Sequence, residues 1–440
     1  MRTPILLAVA ALLLGGCYSP SSLAPDRAMG VWRDLQVQAA ATIADAAAPG
    51  NPMEFTAEKA VAWALRVHPD IRVAQARVAR ARTLEGAFTL VPDAELRLTE
   101  FHLDQIDKQK TAFDLGLRVR PSRPGITASQ RHRAAQDVHV AQARLDALRI
   151  RVTARTRSLH ARAKLADVRE AVLGTEQHLR IDNQLWIEGR VAHGAATDLD
   201  LRLAELSTLE SSDEMNEARL EALEARAQLK ALLQIPPGQD IMLNRPAGGT
   251  GNLAAPPDRE AALEEALTNR PETREVAARL IQAQSDLWRE EARRWPWLSF
   301  AQVSREIGPK AGSLDFGFAL GVELPLERWF GDKVATRQAQ VEVLRQAELA
   351  AVASVVREVD EALARLEKAR TRYLDIQERL LPAIEAAHLA VSKAEALEGH
   401  EPVRRLKLEL TRLSASRRAL AAESELVEAW IHLRRVLARP

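Results

Sequence analysis

Landmarks in this 440-residue chain recur at a nearly constant offset, and that duplication constrains the fold more than any single motif. Pro69 in Val67-His68-Pro69-Asp70 returns as Pro271 in Asn269-Arg270-Pro271-Glu272. Val91-Pro92 returns as Trp295-Pro296, Gly125 as Gly331 and Gly194 as Gly399, each pair lying 202 to 206 residues apart. The expected element order is the same in both halves: a short helix punctuated by proline, two alternating strands, a very long helix, a glycine turn and a returning helix. Such a unit is suited to stacking side by side into something large, not to enclosing a small substrate.

The helical expectation follows from spacing and from missing breakers. Phe55 to Leu90 reads as helix interrupted near Pro69, with Ala62, Leu65, Ile71, Ala74 and Val78 on its apolar side. No proline occurs across the 110 residues from Ile126 to Ile235. A straight helix from Ile126 to Ala192 would extend roughly 100 Å at 1.5 Å per residue. Val138, Ala141, Leu145, Leu148 and Val152 step in threes and fours, and so do Leu349, Val352, Val356, Val359, Leu363 and Leu366, followed by Tyr373 and Leu380. These are heptad seams. Arg155 and Arg162 interrupt the first, so it is read as local packing, not as a uniform dimer zipper. The return helix (197–233) and the short helix (55–90) together nearly match the long one, so each half can lay one long helix beside two short ones set end to end, giving four columns. Pro382 is expected to bend the second long helix.

Four segments read as strands. Leu96 and Leu98 alternate with Glu95, Arg97 and Thr99; Phe113, Leu115, Leu117 and Val119 alternate with Asp114, Gly116, Arg118 and Arg120. In the second half Trp297 to Val303 precedes a run in which Leu314, Phe316, Phe318, Leu320, Val322 and Leu324 alternate with small or polar residues. A membrane barrel strand has this dyad pattern, with apolar side chains toward lipid and small or polar ones toward water. Trp295, Trp297, Trp329 and Phe330 bracket the second pair, where an interfacial aromatic belt would sit. The first pair carries no such belt.

Composition narrows the partners. The net charge of +1, from 61 basic and 60 acidic residues, provides no basic face of the kind that nucleic acid requires. The ten histidines are scattered and the chain has a single cysteine, so no metal site and no internal disulfide is assigned. Glu264-Glu265 and Glu290-Glu291 read as helix-surface carboxylates, not as an acid/base pair in a cleft. Residues 247–251 lack the Lys-Ser/Thr and strand–helix context of a phosphate loop. An enzyme is not expected, and no cofactor is implied.

The cysteine, Cys17, follows Met1-Arg2-Thr3 and an apolar stretch from Pro4 to Leu14, too short to span a bilayer but suited to a signal peptide. Leu14-Gly15-Gly16-Cys17 looks like a lipobox, in which the cysteine becomes a lipidated N-terminus; the alternative is an ordinary signal peptide with a chance cysteine. Tyr18 follows, where enteric inner-membrane retention uses aspartate, which favours the outer membrane. The expected organisation is a signal peptide (1–17), an extended arm (18–54), a first repeat (55–234), a linker of loop (235–258) and a second repeat (259–440). The strands are placed at about 94–120 and 297–325, and the hairpins at about 126–233 and 331–437. The linker holds five prolines and four glycines.

The two-copy plan resembles the TolC-like outer-membrane efflux family across residues 55–440. Local patterns that carry the likeness are Ala64-Leu65-Arg66-Val67-His68-Pro69-Asp70-Ile71, Val191-Ala192-His193-Gly194-Ala195-Ala196-Thr197-Asp198-Leu199, Leu324-Pro325-Leu326, Leu380-Leu381-Pro382-Ala383 and Gly399. Several family members carry the same lipobox.

The resemblance implies a mainly α fold with a short β contribution, assembled as a homotrimer with a closed 12-stranded barrel and a hollow helical tunnel. It also implies an exit duct that docks a periplasmic adaptor and an inner-membrane transporter at its hairpin tips. Those tips would be Gly194, Ala195, Thr197 and Asp198 in the first half, and Gly399, His400 and Pro402 in the second. Glycine can take φ > 0 there to end the long helices, Thr197 and Asp198 can cap the next helix, and Pro402 suits a first turn.

Well-known members place aspartate rings just past the second tip. Here those positions hold Arg405 and Leu408, with Glu401, Arg404 and Lys407 nearby, so a basic constriction or an outward-facing arginine replaces an acidic gate. The function expected is an outer-membrane channel subunit; the rival is a lipid-anchored periplasmic coiled-coil spacer without a pore. The cargo (drug, metal ion or polypeptide) is not named by the sequence.

Overall fold

The computed structural model describes residues 29–31, 33, 34, 37, 53–87, 93–102, 111–236, 238–243, 255–307, 316–398 and 402–439. The lipobox with Cys17 lies outside them, as do Gly399, His400 and Glu401. Residues 29–31, 33, 34 and 37 are helical, so this part of the expected extended arm is instead wound up.

In chain order the first half runs β1 (Met53–Phe55), α1 (Ala57–Val67), α2 (Pro69–Gly86), β2 (Asp93–His102), β3 (Thr111–Arg120), α3 (Pro124–Ala192) and α4 (Asp198–Leu232). The second runs β4 (Ile241–Leu243), α5 (Arg259–Asn269), α6 (Pro271–Ala292), β5 (Trp297–Ile307), β6 (Phe316–Glu323), α7 (Leu326–Phe330), α8 (Lys333–Asp375), a π turn (Ile376–Leu380), α9 (Leu381–Glu398) and α10 (Pro402–Val436). Two expectations are corrected. Phe55 belongs to a strand, not to the first helix, and the linker between the halves is not all loop. Its Ile241–Leu243 pairs in parallel with Met53–Phe55, and the burial of Phe55, Ile241 and Leu243 supplies the driving force.

Helix α3 has 69 residues, about 100 Å at 1.5 Å each, and packs against α1, α2 and α4, so the long column does lie beside shorter ones set in line. Proline stands at the first position of α2, α3 and α6, where the N–H it lacks would have had no partner within the helix. The first core gathers Phe55, Trp63, Ile71, Val152, Leu159, Leu229 and Leu233. Trp63 Nε1 donates to the Leu233 carbonyl at 2.9 Å, and the buried His160 ring meets the Phe55 carbonyl at 3.0 Å. Both halves end alike: Gln234 (φ 55) and Ala438 (φ 57) adopt the left-handed region, just after the fully buried Leu233 and Leu437.

The second seam differs from its heptad reading. Leu349 and Val352 are exposed; the buried stripe is Val355, Val359, Ala362, Leu366, Ala369 and Ile376. Near its end the helix opens by one residue, and the Leu381 amide bonds to Ile376 O. Pro382 explains this local change. It has no N–H, and its ring would clash with the carbonyl one turn back in a regular helix. A π turn relieves that crowding without breaking the column.

The halves join along α3, which also packs on α6 and α10. Arg133 Nη1 reaches both Asp286 oxygens at 2.7 and 2.8 Å, Arg144 reaches Glu275 at 2.8 Å, and Gln282 donates to Asp137 at 2.7 Å. Glu290, expected on the surface, is buried and paired with Arg293 at 3.1 Å.

Candidate functional site

Strands from both halves make one antiparallel sheet in the order β2-β3-β5-β6. Its register puts Leu96, Leu117, Val303 and Phe318 in one row across all four strands. Ala94, Val119, Ala301 and Leu320 form the next row on the same face. Because side chains alternate, Glu95, Arg118, Gln302 and Ala319 share the other face, with Arg97, Gly116, Ser304 and Gly317 beside them. Among the described residues nothing covers the apolar face: Leu96, Phe318 and Leu320 are 73–79% exposed. Burying such a face is worth about 25 cal/mol per Å², so a protein in water alone would leave a large free-energy gain unused. Both outer strands, β2 and β6, also keep a row of backbone groups that no strand among the described residues pairs.

The polar face is specifically built. A bulge between Leu298 and Phe300 shifts the β5–β6 register, turning Phe300 onto that face opposite Gly321. A Cβ at Gly321 would lie 2.3 Å from the Phe300 ring, so any larger residue would require the ring to move. The Arg118 guanidinium sits 4.1 Å from the centre of that ring and donates to Gln302 at 3.0 Å. Of the expected aromatic belt, Trp295 and Trp329 are exposed at the helical end of the sheet, and Trp329 donates to the Arg294 carbonyl at 2.7 Å. Trp297 is not part of a belt. It lies on the polar face, half-buried, and donates to the Pro121 carbonyl at 3.0 Å, pinning the sheet to the start of α3.

At the far end, the first hairpin turns at Gly194, whose φ of 68° is the left-handed value glycine tolerates. Ala195 closes the turn through its amide to the Arg190 carbonyl at 2.8 Å, and Arg190 Nη2 donates back to the Ala195 carbonyl at 2.7 Å. Thr197 caps α4, but its reciprocal partner is Asp200 and not Asp198. The Asp200 amide donates to Thr197 Oγ1 at 3.2 Å, while the Thr197 amide and hydroxyl donate to Asp200 Oδ2 at 2.9 and 2.7 Å. The Thr197 hydroxyl and then its amide hold the Asp200 carboxyl below the usual aspartate range. Asp198 stands in the first turn, 3.9 Å from Arg202. The Thr197-x-x-Asp200 spacing was there to be read as a capping box, with aspartate in place of the usual glutamate or glutamine.

In the second hairpin Pro402 opens α10. Arg405 is exposed and Leu408 half-buried; Arg404 is helical. No acidic residue replaces the basic run here: between Pro402 and Arg418 the sequence has Arg404, Arg405, Lys407, Arg412, Arg417 and Arg418 against the single acid Glu409. Deeper in, the buried Glu176 of α3 is held by Arg180 at 2.7 Å and by Arg417 of α10 at 3.3 Å; Arg417 also meets Glu214 of α4 at 2.9 Å. That junction ties the two hairpins together, and no sequence spacing announced it.

Among the described residues no group of His, Cys, Asp and Glu could hold a metal ion. No helix among them is long and apolar enough to cross a membrane.

No family model and no curated protein matches the chain. Solved structures do. The outer-membrane channel OprN superposes with a TM-score of 0.71 at 18% identity, over 87% of this chain and 90% of that one. The open state of the Neisseria gonorrhoeae MtrE outer membrane channel gives 0.68 at 19%, over 87% and 88%. The Campylobacter jejuni CmeC outer membrane channel gives 0.66 at 14%, over 87% and 85%. The chain therefore has the fold of these outer-membrane channels, the TolC-like architecture that its paired landmarks resemble.

Proposed function

We propose that this protein is the outer-membrane duct subunit of an efflux or secretion system. The observation that carries the reading is the sheet: four strands with a continuous, exposed apolar face, a polar opposite face and two open edges. A bilayer covers the first, a water-filled lumen suits the second, and only closure with further copies removes the third. Because β2 and β6 run in opposite directions, β6 of one copy can pair antiparallel with β2 of the next. Three copies close a 12-stranded barrel, a number that comes from the family resemblance. The long hairpins then extend into the periplasm as a tunnel.

In this reading Cys17 carries the lipid anchor. Gly194, Ala195, Thr197 and Asp198, together with Gly399, His400 and Pro402, form the docking tips for a periplasmic adaptor and an inner-membrane transporter, which supplies the energy. Glu401, Arg404, Arg405 and Leu408 border the constriction. A spacer without a pore gains no support from a sheet whose leucines and phenylalanines face outward.

The test uses the mature, processed chain. An oligomer that dissociates only on heating, found in outer-membrane fractions and conducting ions in planar bilayers, is the expected result. A monomer that stays soluble without detergent and gives no conductance overturns the reading.

A further inference from the structure

Just beyond the π turn, α9 and α10 part to leave a cleft of about 510 Å³. Its apolar wall comes from Leu380 and Ile384 on one side and Leu406 and Leu410 on the other. Lys407 and Arg418 stand at the cleft, with the Thr411 and Ser414 hydroxyls between them. Among the described residues no acidic side chain lines it.

Along the same hairpins Arg372 is paired with Glu425, Arg379 with Asp375, Arg412 with Glu409 and Arg417 with Glu176 and Glu214. Lys407 and Arg418 have no carboxylate partner among the described residues, and both are exposed. Other exposed cations of these hairpins, Arg357 and Lys368 among them, also lack a carboxylate partner among the described residues; what distinguishes Lys407 and Arg418 is their place beside an apolar cleft. The π turn contributes directly: an extra residue in the turn rotates everything after it, and Leu380 ends that turn with Ile384 one helical turn beyond. Single π turns inside α-helices often mark functional positions.

We propose that this cleft binds an amphiphilic anion, a molecule with an apolar body and one carboxylate or sulfonate head. The apolar body would lie between the leucines and Ile384. The head would take hydrogen bonds from Lys407 Nζ, the Arg418 guanidinium and the Ser414 hydroxyl, since the Thr411 hydroxyl already donates to the Lys407 carbonyl at 2.7 Å. Charge-assisted bonds of this kind are the strong ones, and the volume falls within the roughly 300–1,000 Å³ of small-molecule sites. A neutral or cationic amphiphile would gain the apolar contacts but leave the two cations unsatisfied. In a duct, such a site would be a station for anionic cargo or an effector near the tip; that meaning rests on the proposed function, whereas occupancy does not.

The experiment uses the full mature chain and a fatty acid carrying a photoreactive diazirine in its tail. After irradiation, labelled peptides are mapped by mass spectrometry. Labelling is expected in the segments around 380–384 and 406–418. It should fall about tenfold in K407E/R418E, and remain unchanged in the control double reversal R337E/R345E on α8. A quaternary ammonium probe with the same tail should not label these segments above background.

No labelling there overturns the proposal, including the case where a neighbouring copy or another protein segment fills the cleft. So does equal labelling by the cationic probe, or labelling indifferent to K407E/R418E. Conductance and oligomeric state are measured on the same preparation. A conducting oligomer that fails to label sinks this inference alone, and a labelled but non-conducting monomer sinks the duct reading alone.

Discussion

At the first hairpin turn, a few atoms decide the geometry. Thr197 and Asp200 satisfy each other's amides, so Thr197→Ala should destabilise the start of α4 by about 1 kcal/mol. Hydrogen exchange at the amides of residues 198–203 would register it as faster opening. The Asp200 carboxyl titrates below the usual range, so its contribution is fully present above the ordinary aspartate value. It is lost as pH falls through the lowered folded value. Acidification should therefore lower the protection factors at this turn, once exchange is corrected for its own base-catalysed pH dependence, and Asp200→Asn should flatten that loss. Gly321 makes a different demand. Its Cβ position is occupied by the Phe300 ring, so Gly321→Val should lower the melting temperature of the assembled protein, and adding Phe300→Ala should recover part of the loss.

Elements respond to patterns that single residues only hint at. Pro382 forces the Ile376–Leu380 ladder into a π turn, so Pro382→Ala should let a regular helix re-form. Slower amide exchange across 376–382 would report that change; unchanged exchange would mean that packing, not proline, holds the turn. The sheet invites a comparison of its two faces. Leu320→Arg places a charge among outward apolar side chains and should cost about 2–4 kcal/mol if the residue meets the bilayer midplane. The protein should then vanish from outer-membrane fractions, while Gln302→Arg on the opposite face leaves it there. Equal tolerance of both would argue that the apolar face never meets lipid.

Over the whole molecule, ion pairs staple the helical columns to one another. Arg439 bonds Glu265 through Nε at 2.6 Å and Nη2 at 2.5 Å, fastening the chain's end to α5, and Arg270 reaches Glu358 at 2.6 Å. Hydrogen bonding from Arg439 holds the Glu265 carboxyl below its ordinary 4.5. Burial works against ionisation of Glu358, yet the Arg270 bond and charge still bring it below that value. Both contributions are complete above the ordinary glutamate range and disappear as pH falls through the lowered folded values. Stability should decline in acid, and Arg439→Ala should remove the Glu265 share. Urea midpoints measured from pH 7 down to 3 would show the two curves converging at the acid end.

Much of this molecule was already written in its residue order. Gly194, Thr197, Pro69, Pro271 and the period-two alternation of Leu115 to Val119 each specify a local conformation, because steric limits on φ and the pleat of a strand act within a few residues. The doubled landmarks then ordered the elements. Other features arise only when distant segments meet. The strand at Ile241–Leu243 needs Met53–Phe55 beside it, the Phe300–Gly321 fit needs the bulge, and Glu176 needs Arg417 from a helix 241 residues away. Tertiary structure also corrected the seam, exposing Leu349 and burying Val355, because the stripe that is buried depends on which neighbour covers the helix. Local sterics act along the chain and can be read there, whereas burial and charge pairing depend on distances that folding alone sets.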